Sequence, residues 1–314
     1  ALLEQRFDVR HLRAALGFDE DALTLWADSG QLDVAGESVP FDYLLWATGT
    51  GLQPLTKGEQ TLDLDDFIQT PGPELLAHRV EAAGLAEPCI TVVGSGATGI
   101  QFLFELAHYI RRRRLGWRLR LVDAGAAPLQ QFKPSLGRYV AARLQEWGID
   151  YLPRHYFRGQ TDGVLELENR DTGAKLTLAS SVTLAFAGLS GDSRVTANVF
   201  GQVQAHGKIL SRVFAAGDCS LHKMPGSNAL SAQTALRKGR LAARNILRHA
   251  SRFKLLEPYV HRDLGYVIGM GPDDAVGWVA LEGNVIAGQP AVLLKEVVEA
   301  QYDLLLAGTD TYLL

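Results

Sequence analysis

The stretch from Cys89 to Leu152 constrains this chain more than any other. A buried-type strand, CITVV, stops on Gly94-Ser95-Gly96-Ala97-Thr98-Gly99 and runs directly into a helical pattern with apolar residues at Ile100, Leu103, Phe104, Ala107 and Ile110. RLRLVD reads as the next strand, PSLGRYVAARLQEWG as a second helix opened by Pro134, and GIDYL as a third strand. Strand alternating with helix in this way requires a parallel sheet with right-handed crossovers, an α/β layer. The glycines suit a G-x-G-x-x-G turn. Gly94 permits the sharp exit from the strand, Gly96 lets a pyrophosphate approach the backbone, and Gly99 lets helix and strand pack closely. The free N–H groups and partial positive charge of the helix N-terminus then face the anion.

Asp123 ends the second strand, about two dozen residues after the last glycine, where an acid accepts hydrogen bonds from a ribose diol. No Arg or Lys follows in Ala124-Gly125-Ala126-Ala127 to meet a 2′-phosphate, so the pattern favours NADH. A plain loop cap is the other reading of Asp123. Arg111–Arg114 ends the helix, where cations are favoured by the helix dipole; it reads as a solvated face rather than a phosphate contact.

Two further segments flank this unit in a fixed order. FDYLLWATG stops on Ala47-Thr48-Gly49, and VFAAGD stops on Ala216-Gly217-Asp218. Each is an apolar strand ending on small residues. Together with the glycine turn, the set resembles the two-dinucleotide flavoproteins, the pyridine-nucleotide:disulfide oxidoreductases and their NADH dehydrogenase relatives. The resemblance implies FAD and NAD as cofactors, with Thr48, Gly49, Gly217 and Asp218 as flavin contacts. It assigns Gly94, Ser95, Gly96, Ala97, Thr98, Gly99 and Asp123 to the NAD site. SVTLAFAG, ending at Gly188, resembles the strand that returns the chain from NAD domain to flavin domain, and the resemblance implies Gly188 as a further cofactor-binding position. An N-cap role is the alternative for Asp218. The family's own flavin fingerprint, a G-x-G-x-x-G in the first tens of residues, is absent: the chain opens with LLEQRFDVRHLRAALGFDED. The sequence is accordingly read as a fragment with an incomplete FAD domain.

Disulfide reductases carry a redox cysteine pair; this chain has only Cys89 and Cys219, far apart and with no metal-type spacing. Ala232-Gln233-Thr234-Ala235-Leu236-Arg237-Lys238-Gly239 resembles the AQxAxQxG segment of type II NADH:quinone oxidoreductases, with Arg237 in place of the second glutamine. Gln101 stands where that group carries an acid, and the following acid is kept as Glu105. The resemblance implies Ala232 as a flavin neighbour and Gln233 and Gln101 as catalytic positions. A glutamine orients a nicotinamide or quinone but cannot shuttle a proton. Plain helix surface is the other reading of both.

The expected fold class is α/β: two Rossmann-like domains, the FAD domain incomplete at its N-terminus, plus a small α+β C-terminal region. Expected boundaries are 1–72 and 191–252 for the FAD domain, 73–190 for the NAD domain and 253–314 for a strand-rich region with a terminal helix. ALTLWA, QLDVAG and FDYLLWATG read as strands before the first crossover, and GVLELENRDTGAKLTL as a hairpin. A net charge of −4 argues against nucleic acid as a partner. No run reaches the ~20 apolar residues of a membrane span. The helix from Pro290 reads as amphipathic, packed on its own protein or, with the apolar end YLL, resting on a membrane surface. The implied activity is hydride transfer from NADH to flavin and onward to a quinone or similar acceptor, in the cytoplasm or peripherally on the inner membrane face. Two alternatives stand beside it: a ferredoxin-reductase-like or apoptosis-inducing-factor-like flavoprotein with another acceptor, and a flavin-free NAD-binding remnant that senses nucleotide or binds a partner.

Overall fold

The computed structural model describes residues 8–309 except 15, 52, 54–57, 70–71, 187, 189–193, 225–227, 252–254, 262–263 and 281–282. They form two compact units, Ala1–Leu52 with Leu189–Arg262, and Gln53–Gly188 with Asp263–Leu314. In chain order the first unit opens with helix α1 (Glu20–Ser29) and strands β1 (Gln31–Val34), β2 (Glu37–Pro40) and β3 (Leu44–Trp46). The second contributes β4 (Thr61–Leu62), α2 (Leu64–Gln69), α3 (Gly72–Ala82), β5 (Cys89–Val93), α4 (Ala97–Arg113), β6 (Arg118–Val122), α5 (Pro134–Glu146), β7 (Asp150–Leu152), β8 (His155–Thr161), β9 (Val164–Asn169), β10 (Lys175–Ala179) and β11 (Val182–Ala185). The chain then returns to the first unit for β12 (Val195–Ala197), β13 (Gln202–Ala205), β14 (Lys208–Ala215), a 3-10 turn (Gly217–Cys219), β15 (Ser220–His222) and α6 (Ala232–Ala250). The tail adds β16 (Gly265–Gly269), β17 (Ala275–Val279), β18 (Val285–Ala287) and α7 (Gln289–Leu306) to the second unit.

The second unit is built on a five-stranded sheet in the order β4-β11-β5-β6-β7, every pair parallel. All five residues of β5 are buried, as a central strand covered on both faces requires. Ile100, Leu103, Phe104, Ala107 and Ile110 of α4 lie in its core, as their spacing implies. The read hairpin is β9–β10, extended by β8 into a three-stranded antiparallel sheet. In the first unit the sheet is mixed, in the order β15-β12-β13-β14-β3, with β3 parallel to the end of β14 and β12 parallel to β15.

Three expectations change. ALTLWA lies inside α1, not in a strand. Asp19 caps that helix by accepting from Ala22 N at 2.8 Å, Glu20 and Asp21 occupy its first turn, and Gly30 closes it in the left-handed region. A six-residue apolar run does not distinguish strand from helix by periodicity; the caps decide. The expected boundary at 72/73 moves to 52/53, because β4 pairs beside β11 in the second unit. The 253–314 region is not a separate body either. Ile268, Met270 and Val276 join the core of the second unit, while residues up to Arg262 stay with the first, held by Tyr259 N donating to Val199 O at 2.7 Å.

Helix α7 buries Ala291 and packs on β16–β18, but Leu293, Val297, Val298, Tyr302, Leu304 and Leu306 are exposed. The apolar end YLL lies outside the described residues. Among those described, no helix is long and apolar enough to cross a membrane.

Candidate functional site

In the second unit the glycine turn sits at the carboxyl end of β5. Gly94 has φ +100° and donates to Val122 O at 2.9 Å, so the strand's exit is tied to β6. A Cβ at Gly94 would lie 2.3 Å from Phe186 O, and one at Gly99 would lie 1.9 Å from Gly94 O. These two glycines are required by packing alone. Gly96 differs: a Cβ there would meet only the Gln131 amide nitrogen, at 3.2 Å. Gly96 is also the N-cap of α4, with no side-chain cap on the helix's first N–H groups. Ser95 is buried, whereas Ala97 and Thr98 of the first turn are at least partly open.

Asp123 is committed to this turn. Its Oδ2 accepts from Ser95 N at 2.5 Å and its Oδ1 from Gly125 N at 2.5 Å, joining the glycine turn to the loop after β6. Each carboxylate oxygen keeps a further lone pair. Gln131, which sequence reading passed over, reaches Gly96 from the loop before α5; its place depends on Leu129 N donating to Ser95 O at 2.9 Å. Gln101 is half-buried on α4 and Glu105 is exposed. Arg111–Arg114 are all exposed, with Arg114 as the left-handed C-cap of the helix. Gly188, exposed at φ +95°, accepts from Gln53 N at 3.1 Å.

In the first unit the two small-residue strand ends meet. Leu44, Leu45 and Trp46 pair in parallel with Val213, Phe214 and Ala215, so ATG and AGD leave the sheet side by side. Ala216 N donates to Trp46 O at 3.0 Å. Gly49 and Gly217 both have φ +73°. A Cβ at Gly49 would find open space, and one at Gly217 only the Ala235 methyl at 3.9 Å. Thr48 and Ala232 are exposed and Gln233 is half-buried, on the first turn of α6 that Ser231 caps. Cys219 is buried and its thiol donates to Ala216 O, so it is a structural neighbour of the turn.

Asp218 is the chemically informative residue here. Its Oδ1 is enclosed yet has no hydrogen-bond partner, a costly state for a carboxylate. Burial pushes its pKa up, opposed by the positive charges of Lys238 and Arg194. Lys238, not singled out in the sequence, is buried and donates to Ser220 O at 2.8 Å; burial lowers its pKa to about 8, opposed by Asp218 and Cys219. His222 on β15 is lowered to about 4, mainly by burial and then by Lys238. Among the described residues no His, Cys, Asp or Glu group has a metal-site arrangement.

The residues in these two units fit dinucleotides. An enclosed acceptor without a donor at Asp218 suits a ligand hydroxyl. Open space at Gly49 and the uncapped helix N-terminus at Gly96 suit close approach of a cofactor to backbone.

A family model described as pyridine nucleotide-disulphide oxidoreductase matches residues 4–239. The type II NADH:quinone oxidoreductase of Staphylococcus aureus (strain NCTC 8325 / PS 47) is 26% identical over 234 residues, covering 68% of this chain and 56% of the relative. Its counterpart in Staphylococcus epidermidis is 28% identical over 234 residues with the same coverage. The chain thus spans a little over half the length of these curated relatives. Among solved structures, NDH2 from Plasmodium falciparum in complex with NADH superposes with a TM-score of 0.74 at 12% identity, over 88% of this chain and 78% of that one. The sulfide:quinone oxidoreductase of Aquifex aeolicus gives 0.68 at 16% identity, over 90% and 74%. At such identities the likeness shows a shared fold.

Proposed function

Because the chain belongs to the pyridine nucleotide-disulphide oxidoreductase family, we propose that it acts as an FAD-dependent NADH dehydrogenase with a quinone as acceptor. The observation that carries this reading is the pairing of β3 with β14, which delivers Gly49 and Gly217-Asp218 to one sheet end, where Asp218 Oδ1 lacks a partner. The names of the curated relatives support the NADH and quinone parts.

When bound, FAD would supply the redox chemistry, taking a hydride from NADH and passing electrons on. The protein's part is positioning. Asp218 accepts from ribityl hydroxyls, and Gly49 and Gly217 admit the cofactor close to backbone. Gly96 and the N-terminus of α4 hold the NADH pyrophosphate. Asp123, with one lone pair of each oxygen spent inside the turn, offers the remaining ones to the ribose. Gln101 orients the nicotinamide as an amide donor. Ala232 and Gln233, on the first turn of α6, face the flavin and acceptor. Neither Gln101 nor Gln233 transfers a proton. Both cysteines are buried free thiols in different units, which supports an external acceptor over a disulfide relay. The same reading seats the protein on the cytoplasmic side, with peripheral contact through the exposed apolar residues of α7.

The test is an absorption spectrum of the protein supplied with FAD, before and after NADH. A flavin spectrum that bleaches with NADH and recovers with a quinone analogue supports the reading. Recovery only with a protein carrier moves the acceptor to that class. A protein that takes up no FAD leaves nucleotide binding as its activity.

A further inference from the structure

Helix α6 turns one buried stripe inward, made of Thr234, Lys238, Leu241, Ala242 and Asn245. A lysine in that stripe breaks the pattern. Only 2% of its surface is exposed, and taking an ammonium out of water is unfavourable unless it is paired and hydrogen-bonded. Lys238 spends one of its three donors on Ser220 O. No carboxylate stands within ion-pair distance among the described residues; the acid that acts on it most is Asp218. A methionine would fill the same space at lower cost. The charge therefore needs a reason, and Asp218, two residues from Ser220 with an enclosed unpartnered oxygen, provides one.

Resting on the reading of Asp218 as a flavin contact, we propose that Lys238 is a positioning residue for the flavin. It ties the Gly217–Cys219 turn to α6 through Ser220 O, and its charge keeps the Asp218 carboxylate ionised as an acceptor for ribityl hydroxyls. The other groups facing this pair are Arg194, before β12, which adds to the positive field; the Cys219 thiol on the turn; and His222 on β15, neutral above its low pKa. Among them only Lys238 both binds the turn and bears charge.

The experiment is FAD titration of the full chain, followed by flavin fluorescence, for wild type, Lys238→Met, Lys238→Arg, Asp218→Asn and the Lys238→Met/Asp218→Asn double variant. Lys238→Met is expected to weaken FAD about tenfold or more at pH 7, but less than about twofold in the Asp218→Asn background, since coupled residues are non-additive. Lys238→Arg keeps the charge, so the onset of its pH-dependent loss of FAD is expected to match wild type even where the larger side chain weakens binding. A purely structural lysine would not move the pH profile. Wild-type affinity should fall on acidification as Asp218 takes a proton, and in Lys238→Met that fall should begin at higher pH, because removing the cation raises the carboxyl's pKa. If Lys238→Met does not fold, Lys238→Gln keeps a donor without the charge and must show the same shift. Equal losses in both backgrounds, or an unmoved pH profile, overturn the proposal while the flavin reading stands. A wild-type chain that takes up no FAD overturns both.

Discussion

With the glycine turn proposed as the NADH site, packing and binding fall on different glycines of it, and two substitutions test that division. In Gly99→Ala the new Cβ would lie 1.9 Å from Gly94 O and 3.0 Å from Gly94 C, both backbone atoms. Neither can swing aside, so α4 or the end of β5 must shift. Overpacking of this kind costs about 3 kcal/mol at the upper end of its range. Alanine in place of a helical glycine returns up to about 1 kcal/mol, leaving a loss of roughly 2 kcal/mol. For a unit of this size that lowers Tm by about 4–8 °C. In Gly96→Ala the Cβ meets only the flexible end of Gln131, at a backbone φ of −70° that alanine adopts freely. The main loss is the poorer N-cap, about 1 kcal/mol or less. Its effect should instead appear in affinity: a methyl on the approach path should weaken NADH at least tenfold, about 1.4 kcal/mol. Thermal unfolding by circular dichroism and NADH titration by calorimetry read the two effects separately. If Gly96→Ala loses as much stability as Gly99→Ala, or binds NADH like wild type, the division is refuted.

Three further outcomes follow from burial. His222, with 2% of its surface exposed and a folded pKa of about 4 against 6.5 unfolded, contributes stability that is present above pH 6.5. That stability is lost as pH falls to 4, up to about 3 kcal/mol; urea unfolding of wild type against His222→Leu should lose this pH dependence, and an unchanged slope would count against it. Arg120 donates to Asp150 at 2.9 Å and to Ala179 O at 3.0 Å from a buried position. Arg120→Met should cost about 1–2 kcal/mol by removing the two hydrogen bonds of a charged donor, and a loss below 0.5 kcal/mol in the same assay would contradict this. Cys89, whose thiol burial pushes up, and Cys219 should both resist a thiol reagent until the protein unfolds. Rapid labelling of either in the native state would show that it is not buried as described.

Local chemistry was legible in the chain before any coordinates. The turn 94–99, the helix after it and the small-residue strand ends at 47–49 and 216–218 depend on neighbours a few residues apart, and the parallel sense of β5, β6 and β7 follows from strand alternating with helix. Periodicity and glycine placement therefore reveal them. The family resemblance also rested on those short segments. Residues 22–27 misled because six apolar-rich residues satisfy either period, and the decisive caps, Asp19 and Gly30, lie outside the run.

What the tertiary structure alone decided involves residues distant in sequence. Lys238 became notable only once α6 turned it inward beside Ser220 and Asp218. Gln131 met Gly96 through a loop with no periodic signal. Asp123 already had a ligand's place marked for it, yet the fold commits each of its oxygens to a backbone N–H first. The 253–314 region reads as a region of its own in the sequence, whereas Ile268, Met270 and Val276 lie in the core shared with Ile100 and Leu103. A one-dimensional pattern records which faces are apolar. Which face each one meets, and which buried charge is left to compensate another, is settled only when distant segments pack together.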